Sequence, residues 1–509
     1  MRPRRREAQK SGAAEAAERS ARYRHLVNPF EPVRIFSADQ VESIHLAALG
    51  MLESKGMRVL SPRGRAALAA AGAEVDDSSM MVRIDRGLVA KALATVPAEV
   101  ELVARNPQRS SRVGGRHVVF APVAGPPSVH DLQRGKRTGS LEDFRNYVRL
   151  VQSFDVMHVL GQMVEPQDVP LPERHLETSL AQLTLGDKVP YFYCRGSGQI
   201  ADCFAMARIA HGIDEATFRS RAVCYTICNT NSPLQLDIPM TDGIVDFAEH
   251  GQLVIVTPFT LAGAMAPITI AGALTLAHAE ALLGIALTQA VRPGTPVMYG
   301  SFTSNVDMKS GSPAFGTPEY TKAAFGAGQL ARHIGVPWRC SSATAANTAD
   351  AQAAYESQMS LWGALLGGCN FILHAAGWLE GGLTASFEKF ILDIEMLQMF
   401  AEVFQPVATS PDEIAVAAVE EAGIGGHFFA TSHTMQRYRD AFYAPLVSDW
   451  RNYGAWSDDG AKTATERAGT KAHDTLAAFQ PPPVDPAIHE ELEEFVARRR
   501  SEGGAPPVS

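Results

Sequence analysis

Ala222-Val-Cys-Tyr-Thr-Ile-Cys228, Leu253-Val-Ile-Val-Thr257 and Val297-Met-Tyr-Gly-Ser-Phe302 are short apolar runs rich in strand-forming residues. Each is followed by enough chain for a helix. Upstream the pattern continues through His117-Val-Val-Phe120, Met157-His-Val-Leu160 and Val189-Pro-Tyr-Phe-Tyr193. Downstream it runs through Val336-Pro-Trp-Arg-Cys-Ser341 and Asn370-Phe-Ile-Leu-His-Ala375. Pro190 and Pro337 fall at strand starts, where a missing N–H is tolerated. Eight strand candidates alternating with helical stretches predict an α/β protein, a (β/α)₈ TIM-type barrel. The rival doubly wound sheet would carry a Gly-x-Gly-x-x-Gly turn after an early strand, and the sequence has none.

The flanks divide into a basic flexible tail over 1–30, a mostly helical N-terminal region over 31–115, the barrel over 116–405, and a C-terminal helical extension over 406–509 with a frayed end from Ser501. Ser37-Ala-Asp-Gln40 supplies a helix start. Leu253 to Val291 is the longest apolar stretch, but Pro258, Pro267, His278 and Glu280 interrupt it, so it reads as a buried strand and helix, not a membrane span.

The net charge of -9 argues against a nucleic-acid binder, which needs a basic surplus. A composition of 46% hydrophobic and 20% charged residues suits a large buried core. The six cysteines form no Cys-x-x-Cys pair, which indicates neither zinc module nor disulfide scaffold and fits a reducing cytoplasm. Oligomeric state stays open, a homo-oligomer included.

In such a barrel the chemistry sits just past the strands' carboxyl ends. Three late segments stand out: Gly300-Ser-Phe302-Thr-Ser-Asn305 running on to Glu319, Ser342-Ala343-Thr-Ala-Ala-Asn347 running on to Gln358, and His374-Ala-Ala-Gly377-Trp378-Leu-Glu380 running on to Glu388. Together they make the sequence resemble the trimethylamine methyltransferase family, from about Pro29 to Arg498. The resemblance implies methyl transfer from an amine to Co(I) of a separate corrinoid protein. The chain lacks the Asp-x-His-x-x-Gly motif of corrinoid carriers, so the cobalamin is expected on the partner, with no metal bound here.

Archaeal members carry pyrrolysine shortly before an Asp-x-Gln-Ala-x-x-Glu pattern. Counting back from Asp350-Ala-Gln352-Ala-Ala-Tyr355-Glu356, the matching residue is Ala343, so the chain resembles the non-pyrrolysine branch in which glycine betaine methyltransferases are found. A methyl side chain cannot activate a tertiary amine. A quaternary amine needs no activation, because it leaves as a neutral amine, and orientation then carries the catalysis.

The catalytic positions expected are Glu356, Gln352 and Ala343. Glu356 reads either as an attractor for ammonium or as an anchor for its loop. A trimethylammonium group favours aromatic faces, and of Tyr193, Tyr299, Phe302, Trp338, Tyr355 and Trp378 the favoured three are Tyr299, Phe302 and Trp378. The carboxylate of a betaine needs a donor or cation: His374 first, Arg195 second, with Gln352 and Asn347 as further donors. The alternative for His374 is a buried neutral imidazole bonded to the backbone. Alternatives for the whole chain are a trimethylamine or other methylamine methyltransferase and a non-catalytic ammonium-binding homologue. No Gly-x-Ser-x-Gly elbow supports a hydrolase.

Overall fold

The structure, a computed structural model, describes residues 18–508. Six strands lie parallel, each beside the next: Tyr225–Thr230, Leu253–Ala262, Val297–Gly300, Trp338–Ser341, Phe371–Leu373 and His117–Phe120. The register is fixed by the pairs Tyr225↔Leu253, Val254↔Val297, Tyr299↔Trp338, Arg339↔Phe371 and Phe371↔Val119. The helices Ile270–Val291, Pro318–His333, Ala351–Leu366 and Phe387–Val403 follow the later strands in turn.

The runs at 157–160 and 189–193 form single parallel bridges, Val159↔Val189 and Tyr191↔Tyr225, instead of ladders. Side chains have taken over the ladder bonds. Gln182 accepts from the Tyr191 N–H at 3.1 Å and donates to its carbonyl at 3.0 Å. His158 Nδ1 accepts from the Phe120 N–H at 2.9 Å, while the His158 N–H donates to the Phe120 carbonyl at 3.0 Å.

Alternate strand residues point to opposite sides and separate into two apolar clusters. Val119, Val159, Tyr191, Tyr225, Ile255, Met298 and Leu373 share the inner one. Phe120, Leu160, Phe192, Val256, Tyr299 and Ile372 join the helices in the outer one. The apolar helix Ile270–Val291 has 16 of its 22 residues buried within this outer layer, as a core helix does. Each fully buried leucine there contributes about 1.5–3 kcal/mol. Its buried Glu280 accepts from Ser232 Oγ at 2.7 Å and the Leu234 N–H at 2.8 Å, so it organises the turn after Thr230.

The N-terminal region holds the helices Ala38–Ser54, Pro62–Ala71 and Arg86–Leu93, but also the strands Met57–Val59, Glu74–Asp76 and Met81–Arg83. Ser37 and Gln40 form the reciprocal capping box that the sequence suggests. Of the expected tail, residues 1–17 lie outside the described residues; 18–24 are helical, and Leu26–Val27 pairs with Val118 and His117.

The end from Ser501 is not frayed. Gly503 and Gly504, both at positive φ, turn the chain back, so that the Ala505 N–H reaches the Pro172 carbonyl and the Val508 N–H the Arg195 carbonyl, each at 2.9 Å. Helix Pro486–Ser501 docks through Leu492 and Val496 against Leu176 and Met206.

Candidate functional site

Past the carboxyl ends of the strands, Phe302 pairs with Phe259 and gathers an aromatic group. Its ring lies 5.0 Å from Phe259, 5.2 Å from Phe315 in a stacked arrangement, 5.5 Å from His374 and 6.0 Å from Trp378. His374 and Trp378 are 3.9 Å apart, and Phe315 meets Trp378 edge-on at 6.2 Å. Phe315 is held there by a turn at Gly316, whose φ of 68° suits glycine and whose position leaves a Cβ only 2.4 Å from Glu356 Cα.

Arg339 joins this group from within a strand. Trp338 and Cys340 face the outer layer, so the intervening Arg339 faces inward. Its guanidinium lies 5.5 Å over the Phe302 ring. The side chain is 1% exposed and forms no ion pair among the described residues. Its one side-chain hydrogen bond among the described residues is a long 3.5 Å one to the Ser301 carbonyl, and Nε has no partner. Burial pulls its pKa down, yet a guanidinium stays protonated in proteins. A buried charge without a counter-charge costs several kcal/mol, so this one marks a place for an anion.

His374 completes the site. It takes a left-handed backbone, φ 59°, a conformation that costs a non-glycine residue about 1–3 kcal/mol and tends to persist at functional positions. Burial and then the Arg339 charge hold its pKa well below the usual histidine value. The imidazole is therefore neutral, and its buried Nδ1 has no hydrogen-bond partner. The alternative of an imidazole bonded to the backbone through Nδ1 is thus not what this ring presents. Trp378 is fixed by donating Nε1–H to the Thr344 carbonyl at 3.1 Å.

Other expected residues fall elsewhere. Tyr299 is a correction: the strand's parity turns it outward, where its hydroxyl meets His278 Nδ1 at 3.2 Å. Arg195 lies over the Tyr193 ring at 4.3 Å, but Glu165 occupies its guanidinium at 2.7 and 2.9 Å, which leaves little charge for a ligand. Asn347 is exposed on the loop before helix Ala351–Leu366.

Glu356 is a loop anchor in its geometry. Oε2 accepts from Thr344 Oγ1, from the Ala345 N–H at 2.8 Å and from the Ala346 N–H at 3.0 Å; Oε1 accepts from the exposed Gln352 at 2.8 Å. It positions the Thr344 carbonyl that holds Trp378. Ala343 is fully buried, its carbonyl accepting from Ser360 Oγ at 2.8 Å. Glu380 is paired to Lys136 at 2.5 Å.

A buried pair holds the Gly377 turn between His374 and Trp378. Lys389 bonds Asp393 and Ser357 Oγ, while Asp393 accepts from the Gly377 N–H at 2.8 Å. Sequence reading missed Arg339, Phe315 and Phe259. For Arg339 the signal was present: a lone cation inside the apolar run Val336 to Ser341. Among the described residues no group of three or more His, Cys, Asp or Glu is arranged to hold a metal ion.

Aromatic faces beside a buried guanidinium and an unpartnered imidazole nitrogen make up the candidate site, past the carboxyl ends of the parallel strands. The chain belongs to the trimethylamine methyltransferase family, a family of methyltransferases whose profile matches residues 2–504. It is 35% identical to the glycine betaine methyltransferase of Desulfitobacterium hafniense strain Y51, over 92% of this chain and 98% of that one. To the trimethylamine methyltransferase of D. hafniense strain DCB-2 it is 29% identical, over 92% of this chain and 94% of that one. The crystal structure of the Methanosarcina barkeri monomethylamine methyltransferase overlaps 92% of this chain and 98% of its own, at 10% identity and a TM-score of 0.48.

Proposed function

We propose that the chain is a corrinoid-dependent methyltransferase that takes a methyl group from a carboxylated quaternary amine, glycine betaine or a related betaine, for the reduced corrinoid of a separate protein. The observation that carries this reading is Arg339, a buried cation without a counter-charge beside aromatic faces. A simple ammonium ion would meet its like charge in a low-dielectric site. A zwitterion instead brings a carboxylate for Arg339 and His374 and a trimethylammonium for Phe302, Phe315 and Trp378.

The corrinoid belongs to the partner and enters as a co-substrate that supplies a nucleophilic metal. This chain's share is orientation. Clamping the carboxylate at one end and seating the ammonium among aromatic rings fixes which N-methyl faces the mouth. When the C–N bond breaks, its electron pair stays on nitrogen and a neutral dimethylamino product leaves, so no proton donor is needed. That fits the buried methyl of Ala343, which offers no activating group.

A closed eight-stranded barrel is part of the proposal. It is supported by the inner cluster, to which all eight runs except Val336–Ser341 contribute apolar side chains while that run contributes Arg339, and by the bridges at Val159↔Val189 and Tyr191↔Tyr225. Around its mouth, Leu132, Leu171, Ile268, Met308, Tyr355 and Leu383 each expose a large apolar side chain from a different loop or helix start. Such a ring suits docking of the corrinoid protein. Six buried, unpaired thiols suit a reducing cytoplasm.

The test mixes the purified chain with a reduced corrinoid protein and a panel of glycine betaine, trimethylamine and tetramethylammonium, and follows corrinoid methylation by absorbance. Methylation from glycine betaine with dimethylglycine as product is expected. Methylation from trimethylamine alone would overturn the substrate assignment, and none from any amine would overturn the activity.

A further inference from the structure

Between Phe404 and Leu446 the chain leaves the body. Phe404 packs its ring 5.9 Å from Phe30, on the side where the strands begin, and Leu446 and Val447 rejoin by donating their N–H groups to Glu395 at 2.6 and 2.7 Å. The intervening arm forms the short helices Pro411–Ile414, Val416–Ala422 and Ser432–Arg437. Within residues 405–446 only Ala418 and Thr431 are buried.

What the arm exposes is apolar. Ile424, Phe429, Phe442 and Val407 are 111%, 83%, 83% and 89% exposed, and Met399 and Val403 carry the same surface onto helix Phe387–Val403. The arm has no core of its own, and it meets the body's core at its end, through Leu446. Between Val407 and Phe442 its polar ties, Arg437 to Asp412 at 2.6 Å and Ser432 N–H to Glu421 at 2.9 Å, are internal and solvent-facing, which gives them little weight; polar bonds to the body come at Tyr443, whose hydroxyl donates to Gln398 at 3.4 Å, and at Leu446.

We infer that the 405–446 arm is the interface through which a second copy of this chain binds, arm against arm across a two-fold axis. Three features select that occupant. Ten large apolar residues between Val407 and Phe442 stand exposed, well beyond what ordinary monomers carry in one patch and on the scale of one face of a stable dimer. The arm springs from the side where the strands begin, away from the mouth ringed by Ile268, Met308 and Leu383, so a partner held there leaves the mouth open. An arm that exposes this much in every molecule needs a companion present at equal concentration, which a second copy is. Isologous pairing lets each apolar side chain meet its own kind.

The full-length chain is weighed by sedimentation or light scattering across the micromolar range, beside the double variant Ile424→Asp, Phe429→Asp. Both residues are solvent-exposed in the single chain, so the variant is expected to keep its circular dichroism, with a thermal midpoint lowered only by the loss of the partner copy. The wild type should run at twice the chain mass or an even multiple. The variant should dissociate with an affinity weakened roughly a hundredfold or more, as loss of central interface side chains does. Amide exchange over 405–446 should be slow in the wild type and fast in the variant. A wild type of single-chain mass, an assembly indifferent to the double variant, or an arm protected only after the corrinoid protein is added would each overturn the inference. None of these results depends on methyl transfer, so this inference and the proposed activity fail separately.

Discussion

Replacing Arg339 with Met separates two effects that ordinarily travel together. The guanidinium is buried without an ionic partner, so its removal relieves a desolvation cost: the variant should be as stable as the wild type or more so, by about 1 kcal/mol or more. Its affinity for glycine betaine should fall by about 2–5 kcal/mol, the loss usual when one member of a buried ligand charge pair is removed. Denaturant unfolding and calorimetric titration read the two separately. Trp378→Ala takes away an aromatic face and should weaken glycine betaine and tetramethylammonium alike, by about 0.5–2 kcal/mol. Glu356→Ala strands the Thr344, Ala345 and Ala346 donors and should cost about 2–3 kcal/mol of stability, while Glu356→Gln, which keeps an acceptor, should recover part of it. Ala343, the residue that set the substrate expectation, offers no activating group; in the proposed site it is Arg339 that is to distinguish a betaine from a bare ammonium.

Several elements depend on single buried groups. Lys389→Met would leave Asp393 without its cation beneath the Gly377 turn, where burial already raises its pKa, and thermal unfolding should show a loss of about 3–5 kcal/mol. The helix Ala38–Ser54 meets the outer layer through histidines: His45 Nδ1 lies 2.9 Å from His278 Nε2, and the His45 ring 4.9 Å from His333, which itself meets Glu42 at 3.3 Å. Burial and then the neighbouring imidazoles hold His45 and His278 below the usual histidine pKa. The unfolded chain therefore takes up protons first. Stability is full above about pH 6.5 and declines as the pH falls toward the lower folded values. Melting curves between neutral and mildly acid pH should show that decline, and His45→Phe should reduce its slope; a pH-independent melting point would contradict it. The apolar runs fixed where strands lie because burial on both sides leaves a continuous apolar trace. They could not show that Gln182 and His158 interrupt the ladders, since that exchange of bonds depends on contacts distant in sequence.

At the scale of the molecule, the order of strands and helices was legible, and so were the late loops that bring Phe302, His374 and Trp378 together. Tyr299 was misplaced because a run apolar on both sides hides its parity, and one residue's shift moves a side chain from the inner face to the outer. Arg195 was misplaced because its partner Glu165 lies on another loop, invisible to spacing. The C-terminal strap over 505–508 looked frayed for the same reason: its anchors are Pro172 and Arg195. The candidate site thus joins one strand cation with aromatics from several loops, and their meeting is what the proposal of a ligand with both charges rests on. The most direct measurement is titration calorimetry of glycine betaine and tetramethylammonium against the wild type and Arg339→Met. A wild type that binds glycine betaine at least tenfold more tightly, and a variant that loses this preference while still binding tetramethylammonium, is the predicted result; equal affinities in the wild type, or a preference that survives the substitution, would contradict it.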